Sequence, residues 1–329
     1  MRSREESASL WATLLAVLFA FEFFTVEAAA QDYPSRPIRA FTTSSAGGLS
    51  DVFMRALGEE LRIRLGQPII VENRPGASQN LGSRACAEAA PDGYTICIIN
   101  ADPVVYNQFL FKHIGFDPEK GLQPVTNLFH LIQVMVVNAK LKVKSVDELI
   151  ALSKKQAGTL SYLTAAVPLA LYMEKLKEEK GADWVRVPFK GGGEAVNAVL
   201  QGSTPIALIG LGNVMTQIDA GELTPLVMAN NIRTPRYPDV PTLRDTGYTG
   251  APSQGWYGLF VPGGTPRPIV DRLAREVADI YRNEAFIERN LIARGLVPAV
   301  NSPEEFAAQI VKDRAVAAQV VKDAGLEMR

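Results

Sequence analysis

One stretch, residues 39–64, constrains the fold of this chain more than any other. Residues 37–43 read as a short strand, and Ser44-Ser45-Ala46-Gly47-Gly48 is too small and too flexible to continue it. From Ser50-Asp51 onward, Val52, Met54 or Arg55, Leu57, Leu61 and Leu65 recur at helical spacing. A strand that ends in a glycine turn and feeds a helix aims several unpaired backbone N–H groups at one spot. Such a spot attracts anions. The turn is therefore expected to be half of a carboxylate clamp, with the other half downstream.

The first thirty residues are expected to lie outside the fold. Arg2 and Arg4 precede the apolar run 10–21, and Ala28-Ala29-Ala30 supplies small residues, the pattern of an export signal cleaved before Gln31. Twelve apolar residues ending at Glu22 are too few to span a bilayer. Removal of 1–30 takes Lys+Arg from 34 to 32 and Asp+Glu from 35 to 31, a net charge near +1. So balanced a surface argues against nucleic acid and against a polybasic membrane patch. Anion recognition must then be local. The two cysteines, Cys86 and Cys97, fall in a helical and a strand pattern. The sequence favours two small core residues there, although an oxidising compartment also permits a disulfide.

Beyond residue 31, short β-rich runs alternate with helical patterns, the sign of an α/β protein with mainly parallel sheets flanked by helices. Strands are expected at 68–72, 94–100, 131–138, 160–163, 184–188, 205–210, 226–230 and 256–262, with helices between them. A helix is expected over 78–90, and 116–118 and 122–127 read as an irregular connection. The tail is helical over 266–282, 284–294 and 303–324, with a short edge strand at 296–300. The chain leaves one half near residue 130 and returns near 255. This predicts two lobes, 31–130 with 255–329 and 131–254, with a ligand cleft between them.

Catalysis needs a group that can attack or trade protons beside a partner. The only histidines, His113 and His130, stand alone in connecting segments. No zinc-protease motif, serine elbow or Cys-x-x-Cys pair occurs, and neither Gly47-Gly48 nor Lys190-Gly-Gly-Gly has nucleotide-loop spacing. The expectation is a binding protein without metal or cofactor.

Seven motifs in order carry a resemblance over nearly the whole chain after residue 31. They are Ala46-Gly47-Gly48-Leu49-Ser50-Asp51, Val71-Glu72-Asn73-Arg74-Pro75-Gly76-Ala77, Pro91-Asp92-Gly93-Tyr94-Thr95, Phe116-Asp117-Pro118, Val187-Pro188-Phe189-Lys190-Gly191-Gly192, Pro238-Asp239-Val240-Pro241-Thr242 and Trp256-Tyr257-Gly258. With them the chain resembles the exported receptors of tripartite tricarboxylate transporters, the Bug proteins. The resemblance implies a two-lobed periplasmic binding protein of type II, a monomer that closes on a small organic acid and delivers it to membrane permease subunits. Docking to a membrane sensor kinase, or turnover of a carboxylate outside the cytoplasm, are the alternatives. Carried over by position, the ligand loops are Ser45, Ala46, Gly47, Gly48, Leu49, Ser50 and Asp51 in lobe one and Thr164, Ala165, Ala166 and Val167 in lobe two. Asn80, Asn100, Ala101, Lys190 and Asn213 sit at further loop positions facing the same cleft.

Single residues divide between roles. Asp51 suits capping of its helix better than contact with an acid. Lys190 fits either a distal carboxylate or a solvated loop. Trp256 and Tyr257 fit packing at the crossing, and Arg74 fits a tie from its loop to nearby carbonyls. The second turn lacks the family's serines and glycines, so an elongated or ring-bearing carboxylate is expected in preference to a hydroxylated one such as citrate.

Overall fold

The structure, a computed structural model, describes residues 33–164, 167–187, 192–230, 233–234, 236–248, 255–323 and 325. The expected leader, Ala165, Ala166 and Lys190 lie outside the described residues, and of Val167 only the backbone is described.

Eleven strands form two sheets among the described residues: β1 (Ile38–Thr42), β2 (Ile69–Asn73), β3 (Thr95–Asn100), β4 (Leu122–Leu131), β5 (Gln133–Asn138), β6 (Ser161–Leu163), β7 (Val185–Arg186), β8 (Ile206–Gly210), β9 (Leu223–Met228), β10 (Gly255–Pro262) and β11 (Leu296–Pro298). One sheet has the order β11-β4-β10-β3-β1-β2, the other β7-β6-β8-β5-β9. The helices are α1 (Leu49–Leu65), α2 (Asn80–Ala87), α3 (Asn107–Leu110), α4 (Val146–Lys155), α5 (Val167–Lys180), α6 (Gly192–Gln201), α7 (Met215–Asp219), α8 (Arg267–Ile280), α9 (Glu284–Asn290) and α10 (Pro303–Asp323).

The sheets are mixed, not mainly parallel. β2-β1-β3 and β7-β6-β8 pair in parallel, whereas β10 runs against β3 and β4, β11 against β4, and β5 against β8 and β9. The crossings impose this. β4 ends at Leu131 and β5 starts at Gln133, so the chain enters the second sheet at the end where β8 and β9 finish. β10 enters the first sheet likewise, with Tyr257 opposite Asn100 at the finish of β3. A strand that enters where its neighbours leave must run against them. The carboxyl ends of β1–β4 and of β6–β9 therefore face the crossings, where open α/β sheets place their ligands.

Packing follows the alternation of each strand. Ile96 and Ile98 of β3 join Phe53, Met54, Leu57 and Leu61 of α1 and the apolar face of α8. Cys97 and Ile99 point the other way, to Trp256, Phe260, Phe306 and Ile310. β3 is buried along its whole length, which explains its unbroken apolar sequence. β5 divides similarly, with Met135 and Val137 toward α4 and α5 and Val134 and Val136 toward α6. Each large side chain buried in this way contributes about 1.5–3 kcal/mol.

Four further expectations are corrected. Residues 122–127 are not an irregular connection but the first part of a strand that runs on to Leu131 and carries His130 in a ladder opposite Trp256. The helix expected from 78 starts at Asn80, because Ala77, Ser78 and Gln79 are all left-handed, with φ of 47°, 52° and 70°. Cys86 and Cys97 are joined by a disulfide, Cα to Cα 6.3 Å. Trp256 is fully buried, and its indole N–H donates to Asp313 Oδ2 at 2.8 Å. Arg74 pairs with the Glu72 carboxylate at 2.9 Å and lies over the Phe41 ring, so a carboxylate and an aromatic face take the place of the expected carbonyls.

The two sheets meet along one side. Asn230 bridges the outgoing strand connection, its Oδ1 accepting from Gln133 N at 2.8 Å and its Nδ2 donating to Leu131 O at 3.0 Å. The turn Leu211–Asn213 lies against the Ile292–Arg294 turn. A Cβ on Gly212 would run into the Arg294 carbonyl, and one on Gly295 would meet Gly212 N at 3.0 Å.

Candidate functional site

The first turn is assembled from β1, β2 and the start of α1. Gly48 is the N-cap of α1, with φ −71° and ψ 165° and no side-chain cap. The first intrahelical bond runs from Val52 N to Gly48 O, so the N–H groups of Leu49, Ser50 and Asp51 have no acceptor among the described residues. Gly47 (φ 78°) needs its left-handed conformation, and Gly48 needs its missing side chain, since a Cβ there would meet Ser44 Oγ at 2.7 Å. Gly47→Ala is expected to lower unfolding free energy by about 1 kcal/mol in urea titration, because open space surrounds the site and only the conformation is penalised.

Asp51 organises the turn from below. It is 3% exposed. Its Oδ2 accepts from Gly47 N at 2.8 Å, and its Oδ1 accepts from Asn73 Nδ2 at 3.0 Å and from Arg55 at 2.8 Å. Asn73 also donates to Thr42 Oγ1 and Ser44 O, and Ser44 Oγ lies 2.7 Å from Ser50 Oγ. Burial pushes the Asp51 carboxyl up, but the bonds from Arg55, Gly47 and Asn73 outweigh it and hold it below the ordinary value. Its oxygens tie the turn, β2 and α1 together, but none accepts from a backbone N–H of α1, so the expected helix cap is replaced by a brace for the turn. Ser45, Ala46 and Gly47 are exposed.

Two neighbouring loops open at the same sheet end. The left-handed run Ala77-Ser78-Gln79 is held by Asn107 Nδ2 donating to Ser78 O and Asn80 Oδ1, by Ser83 Oγ donating to Gln79 O, and by Thr43 Oγ1 donating to Gln79 Oε1. Three consecutive non-glycine residues in that region store strain. Asn80 is 6% exposed, and its Oδ1 is engaged by Asn107. At the finish of β3, Ala101 is buried and Asn100 is 8% exposed. Asn100 Nδ2 donates to Asp102 Oδ2 at 3.2 Å, while its Oδ1 has no partner. Asp102 is exposed although its neighbours Ala101, Pro103, Val104 and Val105 are buried.

In the second sheet Thr164 is 2% exposed, and its carbonyl accepts from Arg186 Nη2 at 3.0 Å. Arg186 closes β7 and is exposed, so a guanidinium stands beside the second turn. Asn213 follows β8, is exposed, and donates from Nδ2 to Gly210 O at 3.2 Å. Its turn lies against Arg294 and Gly295, at the contact between the sheets.

Gln79, Asp102 and Arg186 are the residues that sequence reasoning passed over. Asp102 stands directly before Pro103, a helix-start signal, and it opens a five-residue π-helical turn, Asp102–Tyr106. Arg186 was legible only as part of a strand. Nothing in the sequence marks Ala77-Ser78-Gln79, which are ordinary residues in a rare conformation.

Chemically, the first turn offers neutral donors and the second a cation, an arrangement suited to holding acidic groups without reacting with them. Among the described residues no cluster of His, Cys, Asp or Glu could hold a metal ion, and no helix is long and apolar enough to cross a membrane.

Comparison with known proteins agrees with this geometry. The family described as "Tripartite tricarboxylate transporter family receptor" matches residues 53–326. The structure of the periplasmic binding protein BugD is similar at a TM-score of 0.71, with 28% identity, covering 90% of this chain and 100% of BugD. An R. palustris protein solved with adipate superposes at a TM-score of 0.76, with 26% identity and coverage of 91% and 100%. MatC from Rhodopseudomonas palustris, solved with bound malate, gives 0.69, with 26% identity and coverage of 88% and 100%. The fold is that of BugD, a type II periplasmic binding protein with two mixed sheets flanked by helices.

Proposed function

This chain belongs to the tripartite tricarboxylate transporter receptor family, and from that premise we propose that it captures a small organic dicarboxylate between two lobes and delivers it to the membrane permease of such a transporter. The family is one of solute-binding receptors, not enzymes. The proposed lobes are 31–130 with 255–329 and 131–254, closing as hinged bodies. The protein acts in the periplasm as a monomer, after loss of a leader of about thirty residues.

The observation that carries this reading is the facing of strand ends. The carboxyl ends of both sheets' parallel strands look toward the same crossings. The first sheet brings three unpaired N–H groups there at the start of α1. The 45–51 turn, Asn80, Asn100 and Ala101 form the lobe-one wall in this proposal, and residues 164–167, Lys190 and Asn213 the opposite one. A carboxylate sheds water as the lobes close, and preorganised N–H donors replace that water. The helix start adds about 0.3–1 kcal/mol. Relatives solved with adipate and malate support a diacid as the solute class.

A thermal-unfolding screen against C4–C8 aliphatic and aromatic diacids tests the proposal. A true ligand at a hundred times its Kd is expected to add about 2.7 kcal/mol to the unfolding free energy. If every diacid leaves the transition where it was, the dicarboxylate reading is wrong. Citrate binding more tightly than adipate would overturn the narrower expectation of an elongated or ring-bearing solute.

A further inference from the structure

The strained run after β2 does nothing for the fold that glycine would not do with less strain. Ala77, Ser78 and Gln79 stand at φ 47°, 52° and 70°, a region where a side chain crowds its own backbone and glycine does not. Gln79 is the N-cap of α2, yet its side chain makes no cap bond to that helix. Its Oε1 turns to β1 instead and accepts from Thr43 Oγ1 at 2.5 Å. A backbone held against its preference, at the sheet end that carries the glycine turn, points to a task for the side chain it presents.

Buried groups lock the run in place. Asn107 is 3% exposed, and its Nδ2 donates to Ser78 O at 3.0 Å and to Asn80 Oδ1 at 2.8 Å. Ser83 is fully buried, and its Oγ donates to Gln79 O at 3.0 Å. The start of α2 is also pressed against its neighbours, since a Cβ on Gly82 would meet Arg74 O at 2.7 Å and Thr43 Cγ2 at 3.0 Å. Contacts on several sides thus over-determine a conformation that Ser78 and Gln79 would otherwise leave.

The result places the Gln79 amide beside the turn. Thr43, its partner, directly precedes the turn, and the next residue, Ser44, lies 2.7 Å, Oγ to Oγ, from Ser50 at the start of α1. The Thr43 hydroxyl donates to Oε1 and so sets which way the amide faces. Nε2 then carries two hydrogens, and neither has an acceptor among the described residues. Gln79 is half-buried, which leaves that N–H pair within reach of a solute. A neutral donor therefore flanks the backbone N–H groups of Leu49, Ser50 and Asp51.

We propose, resting on the carboxylate reading above, that Gln79 is a specificity residue whose Nε2 donates to the carboxylate held at the 45–51 turn, and that the left-handed run exists to aim it. A carboxylate accepts along several directions. The turn serves those that face α1, and the amide serves the flank. The strain stored in the run is stability given up for that donor.

Calorimetric titration and thermal unfolding of wild type, Gln79→Gly and Gln79→Glu decide the matter, with whichever of succinate, adipate and suberate binds wild type most tightly as the probe. Gln79→Gly is expected to melt about 1–3 °C above wild type, because its backbone is at ease there, and to bind the diacid about fivefold more weakly for want of one neutral hydrogen bond. A side chain that merely supports the fold would move stability and affinity in the same direction. Gln79→Glu keeps the shape and an oxygen for Thr43 but faces the solute with a like charge. It is expected to bind at least tenfold more weakly, with part of the loss recovered in high salt. Because this variant keeps a side chain, it separates loss of the donor from a loosened turn. A glycine variant that melts lower than wild type, or either variant binding within about twofold of wild type, would overturn the proposal. If wild type binds none of the three acids, the dicarboxylate reading falls and Gln79 with it, whereas binding that both variants retain removes Gln79 alone.

Discussion

Asp51→Ala is expected to lower the unfolding free energy by about 3 kcal/mol and to weaken ligand binding at least tenfold. The carboxylate is almost fully buried and accepts from Gly47, Asn73 and Arg55 at once. Its removal leaves a void beneath β1, strips Arg55 of its counter-charge and frees the Gly47 N–H that fixes the turn, while the Asn73 amide keeps Thr42 Oγ1 and Ser44 O as acceptors. Asp51→Asn preserves the shape but replaces one accepting oxygen with a donor, so an intermediate loss is expected. Acid should mimic the mutation. The carboxyl titrates below its ordinary value in the folded state, so its stabilisation is complete above about pH 4 and drains away as pH falls below that. The gap between wild type and Asp51→Ala in urea titrations should narrow correspondingly on acidification. A variant that loses stability but keeps its Kd would show that the turn is scaffold and not site.

Removing the Cys86–Cys97 bond should have an effect of similar size. The two residues are 11 apart in sequence, and closing so short a loop in the unfolded chain is worth about 3 kcal/mol on the chain-entropy account. Both are fully buried between α2 and β3, so the alanine pair also loses packing. The consequence extends to the site, because the bond pins α2, which starts at Asn80, to β3, which finishes at Asn100. Scanning calorimetry of the Cys86→Ala/Cys97→Ala protein, and of wild type under reductant, should show transitions several degrees lower than oxidised wild type. Unchanged transitions would mean that the core holds these elements without the bond.

The parts of this molecule legible in its sequence are those fixed locally. The strand, glycine turn and helix at 38–65 follow from residue size and apolar spacing alone. β4 was not legible. Its Gln123, Thr126 and Asn127 break any simple alternation, and what holds them extended is β10, more than a hundred residues away, with two register shifts in the pairing. The mixed sheets depend in the same way on where the chain crosses and not on any strand's composition. Ala77-Ser78-Gln79 take a conformation that their side chains disfavour, imposed by Asn107, Ser83 and Thr43. The disulfide needed a distance.

If the lobes close as proposed, the one-sided contact between the sheets sets how far each part of the site travels. Gly212 against Arg294, and Asn230 across the strand connection, fix a pivot beside β4, β10 and β11. β3 lies one strand beyond β10 and β1 two, roughly 5 Å and 10 Å out on the lever arm. A swing of about 10° about that pivot would carry the glycine turn by about 2 Å, and Asn100 with Asp102 by about half as much. A solute would then be gripped early at its inner end and sealed in last by the outer turn.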